Sequence, residues 1–265
     1  MPALPWNVDK PLIGVIHLDL LPHQPGCPGF DVVRARALAD LRALEDGGVD
    51  AVLVENYKDT SPAPFVGPES IAALAVITRD LLERSAIPVG VNVLPNDYRA
   101  ACALIGTCGA HFFQLDVFSD RVRTAYSVSS APPFEVEVQA WDVRGWRQKL
   151  APDAPLLASV HPKHYALLEE EPIEESARRA VAEGADVLVV TGSSTGVAPA
   201  VDEVVRVKAV AGQVPVFVGS GLCAQNARTL LAVADGAIVG TALKTPDFRQ
   251  VELGLVRDLV RAVRA

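Results

Sequence analysis

Two apolar runs near the C-terminus each end in glycine, Val214-Pro215-Val216-Phe217-Val218-Gly219-Ser220-Gly221 and then Ala234-Asp235-Gly236-Ala237-Ile238-Val239-Gly240-Thr241. A strand that ends in small residues and feeds a helix leaves backbone N–H groups close together and exposed, and the helix N-terminus adds about half a positive charge. Such a unit suits a phosphate. Two of them about twenty residues apart match the seventh and eighth strands of a (β/α)8 barrel, whose last loops frequently form one shared phosphate site.

The rest of the chain fits that frame. Short Val- and Ile-rich runs predict strands at Leu12 to Leu18, Val49 to Glu55, Val89 to Leu94, His111 to Val117, Leu156 to Val160, Ala185 to Thr191, Val214 to Gly219 and Gly236 to Gly240. They are continuous rather than alternating, as parallel strands buried on both faces are. Helical patterns fill the gaps. Asp31 is the expected cap of a helix with Val33, Ala37, Leu41 and Leu44 on one face, ended by Gly47-Gly48. Pro68 opens the second, with Ile71, Leu74, Ile77 and Leu81 inward; Asn96 or Asp97 caps the third. A helix with Val143, Trp146 and Leu150 comes next, then others from Pro172, Pro199 and Ala224, and a last one over Phe248 to Val263. Between the fourth and fifth strands, Ser119 to Ala151 is longer than an ordinary connection. It carries Tyr126, Phe134, Trp141 and Trp146, and Phe134 to Gln139 alternates like a short strand or hairpin. This extended segment is either padding over the rim or a lid over the mouth. The expected fold is thus a single-domain α/β TIM barrel over residues 1 to 265, close to the usual size of about 250 residues.

Composition narrows the function classes. A net charge of -8 argues against a nucleic-acid surface, which needs clustered Lys and Arg to displace counterions. Cys27, Cys102, Cys108 and Cys223 are scattered, without Cys-x-x-Cys or zinc-type His spacing, and read as reduced thiols. The start, Met1-Pro2-Ala3-Leu4-Pro5-Trp6-Asn7, has neither the basic nor the apolar part of a signal peptide, and no uncharged run reaches about 18 residues. A cytoplasmic chain without membrane insertion is expected. Barrels of this kind commonly form homo-oligomers, and Pro2 to Trp6 is read either as an interface arm or as a lid across the barrel bottom.

In such a barrel the chemistry lies where strands end and βα loops begin. His17 closes the first strand, Glu55 and Asn56 the second, Asn92 the third and Asp116 the fourth; Ser159, His161, Lys163 and His164 follow the fifth. After the sixth comes Thr191-Gly192-Ser193-Ser194-Thr195-Gly196, and then the two glycine loops. A carboxylate ending an apolar barrel strand faces the mouth, which favours roles for Glu55 and Asp116 over simple loop pairing. Lys163 is the cation expected inside, to neutralise a phosphate, pair with Glu55 or Asp116, or act as a base or imine-forming amine. His17 is either an acid–base group or a satisfied structural imidazole. A triad of Ser193, His161 and Asp116 lacks a Gly-x-Ser-x-Gly elbow. A binuclear hydrolase would carry His-x-His after the first strand, where His17-Leu18-Asp19 stands, so no metal or other cofactor is expected. A divalent ion, if held, would use His17, Glu55, Asp116 and His161.

The ordered set Ile13-Gly14-Val15-Ile16-His17-Leu18, Leu21-Pro22, Val54-Glu55-Asn56, Pro64-Phe65, Gly67-Pro68-Glu69 and Pro88-Val89-Gly90-Val91-Asn92-Val93-Leu94 continues with Thr191 to Gly196, Gly219-Ser220-Gly221 and Ala234 to Lys244. Together these resemble the BtpA family nearly end to end. The resemblance implies a TIM barrel of the ribulose-phosphate-binding kind. The family is named for a role in photosystem I biogenesis, includes members near sugar-metabolism genes, and resembles enzymes without an agreed reaction. Ala158-Ser159-Val160-His161-Pro162-Lys163-His164 is similar to the family's Ala-Asp-Val-x-Val-Lys-His, with Ser159 replacing its acid. Asp116 stands where the family usually has Asn, and Pro132-Pro133-Phe134-Glu135 stands in place of its Asp-Gln-Gly.

The expected function is acid–base chemistry on a small phosphorylated sugar or ribosyl compound: isomerisation, lyase chemistry or N-glycosidic cleavage. Lys163, Glu55, Asp116 and His17 carry the proton transfers in this reading. Asn92, Thr191, Gly192, Ser193, Gly219, Ser220, Gly221, Gly240 and Thr241 bind substrate and phosphate. The alternatives are a non-catalytic assembly factor on the same scaffold and a metal-dependent hydrolase.

Overall fold

A computed structural model describes residues 2–59, 63–124, 133–247 and 249–264. In chain order the elements are β1 (Leu12–His17), α1 (Phe30–Gly47), β2 (Ala51–Glu55), α2 (Pro68–Arg84), β3 (Val89–Asn92), α3 (Tyr98–Cys108), β4 (Phe112–Leu115), β5 (Val122–Thr124) and β6 (Glu135–Val136). Then come α4 (Ala140–Leu150), β7 (Leu156–Val160), β8 (Tyr165–Leu167), α5 (Ile173–Glu183), β9 (Val187–Val190), α6 (Val201–Val210), β10 (Val216–Val218), α7 (Ala227–Leu231), β11 (Gly236–Val239) and α8 (Leu253–Arg264). Eight parallel strands close in the order β1-β11-β10-β9-β7-β4-β3-β2, each at a position the apolar runs predict.

The continuous apolar runs are explained by two cores. Every other strand residue points into the barrel, where Ile13, Val15, Leu53, Phe112, Val189 and Phe217 fill the interior. Their neighbours Leu12, Ile16, Val52, Val91, Leu188 and Val218 face outward and pack under the helices. This period of two brings His17, Glu55, Asn92, Gln114, Asp116 and Ser159 inward at the C-terminal ends, on the axis of the apolar plug below. The N-terminal arm caps the other end: Trp6 meets Phe112 edge-on at 5.3 Å and Phe217 at 5.8 Å. Of the two readings of that arm, the lid across the barrel bottom describes its place.

Helix signals mostly act as expected. Gly48 ends α1 in a left-handed conformation at φ 91°, Pro68 opens α2, and Asp97 caps α3 by accepting from the Ala100 N–H. Asp31 does not cap α1. Gly29 occupies the cap, and Asp31 lies in the first turn, where its charge favours the helix dipole instead. The last helix begins at Leu253; Phe248, the expected start, lies outside the described residues.

The long connection after β4 builds a second structure. β5 pairs antiparallel with β6 and, across the loop after β7, with β8. Val117, Val122 and Val136 make its buried centre, with Phe134 and Tyr165 packed against them. Tyr126 and Pro132 lie outside the described residues.

Candidate active site

The barrel mouth encloses a cavity of about 370 Å³. His17, Glu55, Asp116 and Lys163 all line it, as do Gly219, Ser220, Gly221, Gly240 and Thr241, so one space collects the candidate reacting groups and the two glycine loops. Thr124, Phe134 and Tyr165 supply another wall, which makes the small antiparallel sheet part of the mouth rather than padding.

Two polar side chains tie the acidic centre together. Asn92 donates through Nδ2 to Glu55 Oε2 at 3.3 Å and to Asp116 Oδ1 at 3.4 Å. Gln114 donates through Nε2 to the same Asp116 oxygen at 3.2 Å. Burial pushes the Glu55 pKa up to about 7, helped by the Asp116 charge and opposed by Lys163, Asn92 and Lys244. Burial also raises the Asp116 pKa, against the pull of Lys163, Asn92 and His164. His17 stands 3.8 Å from Glu55 Oε1. Burial and the charges of Lys244 and Lys163 hold its pKa well below the ordinary value, so at neutral pH it is an uncharged imidazole. A neutral imidazole beside a carboxyl that titrates near neutrality can pass a proton either way.

Lys163 is not paired with a carboxylate in the way one reading of the sequence expected. Its ammonium makes one polar contact among the described residues, with the Gly219 carbonyl at 3.5 Å. Its positive field nevertheless reaches both Glu55 and Asp116. Next to it, His164 has a positive φ of 68° and its Nε2 lies 2.7 Å from Thr195 Oγ1.

The loops after β9, β10 and β11 interlock. The Ser220 hydroxyl accepts from the Gly192 N–H at 2.7 Å and donates to the Val197 carbonyl at 2.7 Å. Gly221 lies at φ 66°, and a Cβ there would stand 2.1 Å from the Ala198 nitrogen, so only glycine lets the two loops approach this closely. The N–H groups of Ser220, Gly221 and Gly240 have no acceptor among the described residues.

Several candidates do not gather at the cavity. Thr191 accepts the Lys163 N–H at 3.1 Å and Gly192 gives its N–H to Ser220, so both hold loops together and neither lines the mouth. Ser193 is exposed and also off the cavity wall, and His161 points elsewhere, which leaves the Ser193, His161, Asp116 triad unassembled. His161 instead lies with Asp120 and Glu171, ligand atoms within 4.8 Å of one another, so it is not in the metal set expected from the sequence. Arg179 already engages both of those carboxylates. Asn92 acts from just beneath the cavity, through its two carboxylate bonds.

Three buried polar atoms in this centre, Asn92 Oδ1, Gln114 Oε1 and Ser159 Oγ, have no partner among the described residues. Such atoms are costly unless water or a ligand meets them. The sequence also pointed past Gln114, Tyr57 and Tyr165. Gln114 sits two residues inside an apolar strand, where only the inward period marks it; Tyr57 lies in the loop after β2 and Tyr165 opens β8, and the fold alone decides the course of both.

The model of the BtpA family matches residues 8–264. The uncharacterised protein PH1209 of Pyrococcus horikoshii is 35% identical over 239 residues, 89% of this chain and 88% of that one. Photosystem I biogenesis protein BtpA of Synechocystis is 32% identical over 242 residues, 90% of this chain and 82% of that one. Among solved structures, N-(5'-phosphoribosyl)anthranilate isomerase from Pyrococcus furiosus has the same fold, with a TM-score of 0.55 and 18% identity, covering 96% of this chain and 98% of that one. The family match and these relatives cover most of the chain, and the chain is a member of the BtpA family.

Proposed function

We propose that the mouth is an active site for acid–base chemistry on a small phosphorylated sugar or ribosyl compound. One observation carries this reading: Glu55 and Asp116, joined through Asn92, share a single cavity with the acceptorless N–H groups of Ser220, Gly221 and Gly240. The amides hold the phosphate, aided by Gly240 and Thr241 at the head of a short 3-10 turn and by the nearby Lys163 ammonium. The sugar carbon framework then lies over Glu55, Asp116 and His17. Glu55, with a pKa of about 7, takes or gives the proton, and Asp116 and Lys163 set the charge around it. Isomerisation, carbon–carbon lyase chemistry and glycosidic cleavage all use such a set. The isomerase whose fold is shared acts on a phosphoribosyl compound by its name, which supports the substrate class.

The test is a crystal of the full chain soaked in ribose 5-phosphate. The phosphate is expected on the Ser220, Gly221 and Gly240 amides, and an empty mouth at saturating ligand overturns the reading. The relative named for photosystem I biogenesis favours a second reading, a non-catalytic assembly factor on this scaffold. Lys163→Ala with Glu55→Ala separates them: a folded double variant that still performs the protein's role in its host excludes a catalytic one.

A further inference from the structure

Beside the mouth lies a second cavity of about 470 Å³, between α1 and the loops after β1, β2 and β11. The two spaces share His17, Tyr57, Thr195 and Thr241 as a common wall, so a ligand in one reaches the boundary of the other. None of the groups assigned above to phosphate or proton transfer, apart from that wall, belongs to this annex.

Its charge is unusual for a chain of net charge -8. Lys244 lines it with a side chain only 3% exposed. Among the described residues its ammonium meets one acceptor, Asp40 Oδ2, at 3.4 Å. The other Asp40 oxygen already accepts the Val251 N–H at 2.8 Å. An ammonium has three donors, and taking it out of water costs several kcal/mol unless they are satisfied at good distance. One long contact does not satisfy them. Arg36 Nη1 and Lys58 Nζ, also on its wall, both reach the single carboxylate of Asp19, at 2.5 Å and 2.7 Å. One carboxylate between two cations leaves a positive charge over, and both cations are partly exposed to the annex.

We propose that the annex binds a second anionic group of the ligand whose phosphate occupies the mouth, with Lys244, Arg36 and Lys58 as its partners. The proposal rests on the reading of the mouth as a sugar-phosphate site. The substrate class becomes a doubly anionic sugar derivative, its far end carrying a phosphate or a carboxylate, rather than a simple monophosphate. Lys244 then joins the two halves: its field is among those that hold His17 neutral and oppose the rise in the Glu55 pKa, so an anion bound beside it retunes both groups.

Crystals of the full chain soaked in inorganic phosphate test this directly. Two ions are expected, one on the Ser220, Gly221 and Gly240 amides and one among Lys244, Arg36 and Lys58. Arg36→Gln with Lys58→Gln removes only rim charges and is expected to weaken the annex ion by about tenfold while keeping the mouth ion. Lys244→Met is made together with Asp40→Asn, because alone it strands a buried carboxylate, and is expected to abolish the annex ion. A parallel soak in malonate distinguishes the sources: malonate in the annex points to a sugar acid, and phosphate alone to a bisphosphate. A phosphate in the mouth with an empty annex, or an annex ion indifferent to both double variants, overturns this inference and leaves the mouth reading standing. An empty mouth overturns both.

Discussion

Glu55 is held in a condition that its folded surroundings resist. Its pKa rises from 4.5 to about 7, chiefly through burial, so the folded state prefers the neutral carboxyl. Between those two values the unfolded chain has lost the proton and the folded one keeps it. Stability therefore falls as pH rises through that window, by an amount on the order of 3 kcal/mol at most. Glu55→Gln removes the titration. The variant is expected to melt several degrees higher than the wild type at pH 8 and at nearly the same temperature at pH 4.5, as followed by thermal denaturation across pH. A wild-type advantage at pH 8 would contradict the assignment. In turnover, the same group predicts a limb near pH 7 in kcat/KM of the wild type, and Glu55→Gln is expected to lose most of the turnover at every pH. The residues of this centre were legible for a physical reason: a polar group at the end of an apolar strand has nowhere to go but the mouth, and His17, Glu55, Asp116 and Lys163 all went there. Thr191 and Ser193 lie off the cavity wall, because a hydroxyl in a loop serves backbone amides as readily as substrates, as Thr191 does by accepting from Lys163, or faces solvent, as Ser193 does. Lys244 stands in the family-like segment Ala234 to Lys244 but carries no local mark of a site residue, since its burial beside Asp40 depends on the path of α1 two hundred residues earlier in the chain.

At the level of elements, the glycine loops matter through contact with each other. Gly219 packs where a Cβ would stand 2.4 Å from Val189 Cγ1, and Gly221 where it would stand 2.1 Å from the Ala198 nitrogen. The first neighbour is a side chain, the second is backbone and cannot turn aside. Gly221→Ala therefore combines a left-handed backbone that resists a side chain with a collision against the loop after β9. The expected cost is about 3 kcal/mol or more. Because the same shift displaces the Ser220 and Gly221 amides, ribose 5-phosphate affinity is expected to fall by at least tenfold at a temperature where the variant remains folded. Calorimetric titration measures this, and unchanged affinity in the folded variant would remove these amides from the site. Sequence reading found the loops because small residues after a strand are a local signal. It left the segment after β4 open, between padding and lid, because the partner of β5 is β8, some forty residues on, and no local pattern announces a pairing across a whole βα unit.

For the molecule as a whole, the two ends of the barrel are sealed by different means. The C-terminal end is polar and holds the mouth and its annex, while the N-terminal end of the interior core is closed by Trp6 against Phe112 and Phe217, with Leu4 beside it. Phe112 and Phe217 are almost wholly buried, at 0% and 1% exposure, and they owe part of that to the indole. Without Trp6 the floor of the interior core opens to water. Truncation of a large aromatic in such a place costs about 3–5 kcal/mol when fully buried, and Trp6 is only half-buried, so Trp6→Ala is expected to cost about 2–3 kcal/mol. For a chain of this length that is a drop of several degrees in Tm. The mouth lies at the other end of a close-packed interior, beyond Val15, Leu53 and Val189, and no charge changes. Ligand affinity at the mouth is therefore expected to stay within about twofold of wild type. Thermal denaturation and phosphate titration of one variant decide the matter together: a lower Tm with unchanged affinity assigns the arm to stability, whereas a matched loss of affinity would mean that the floor of the barrel and the acidic centre move as one unit.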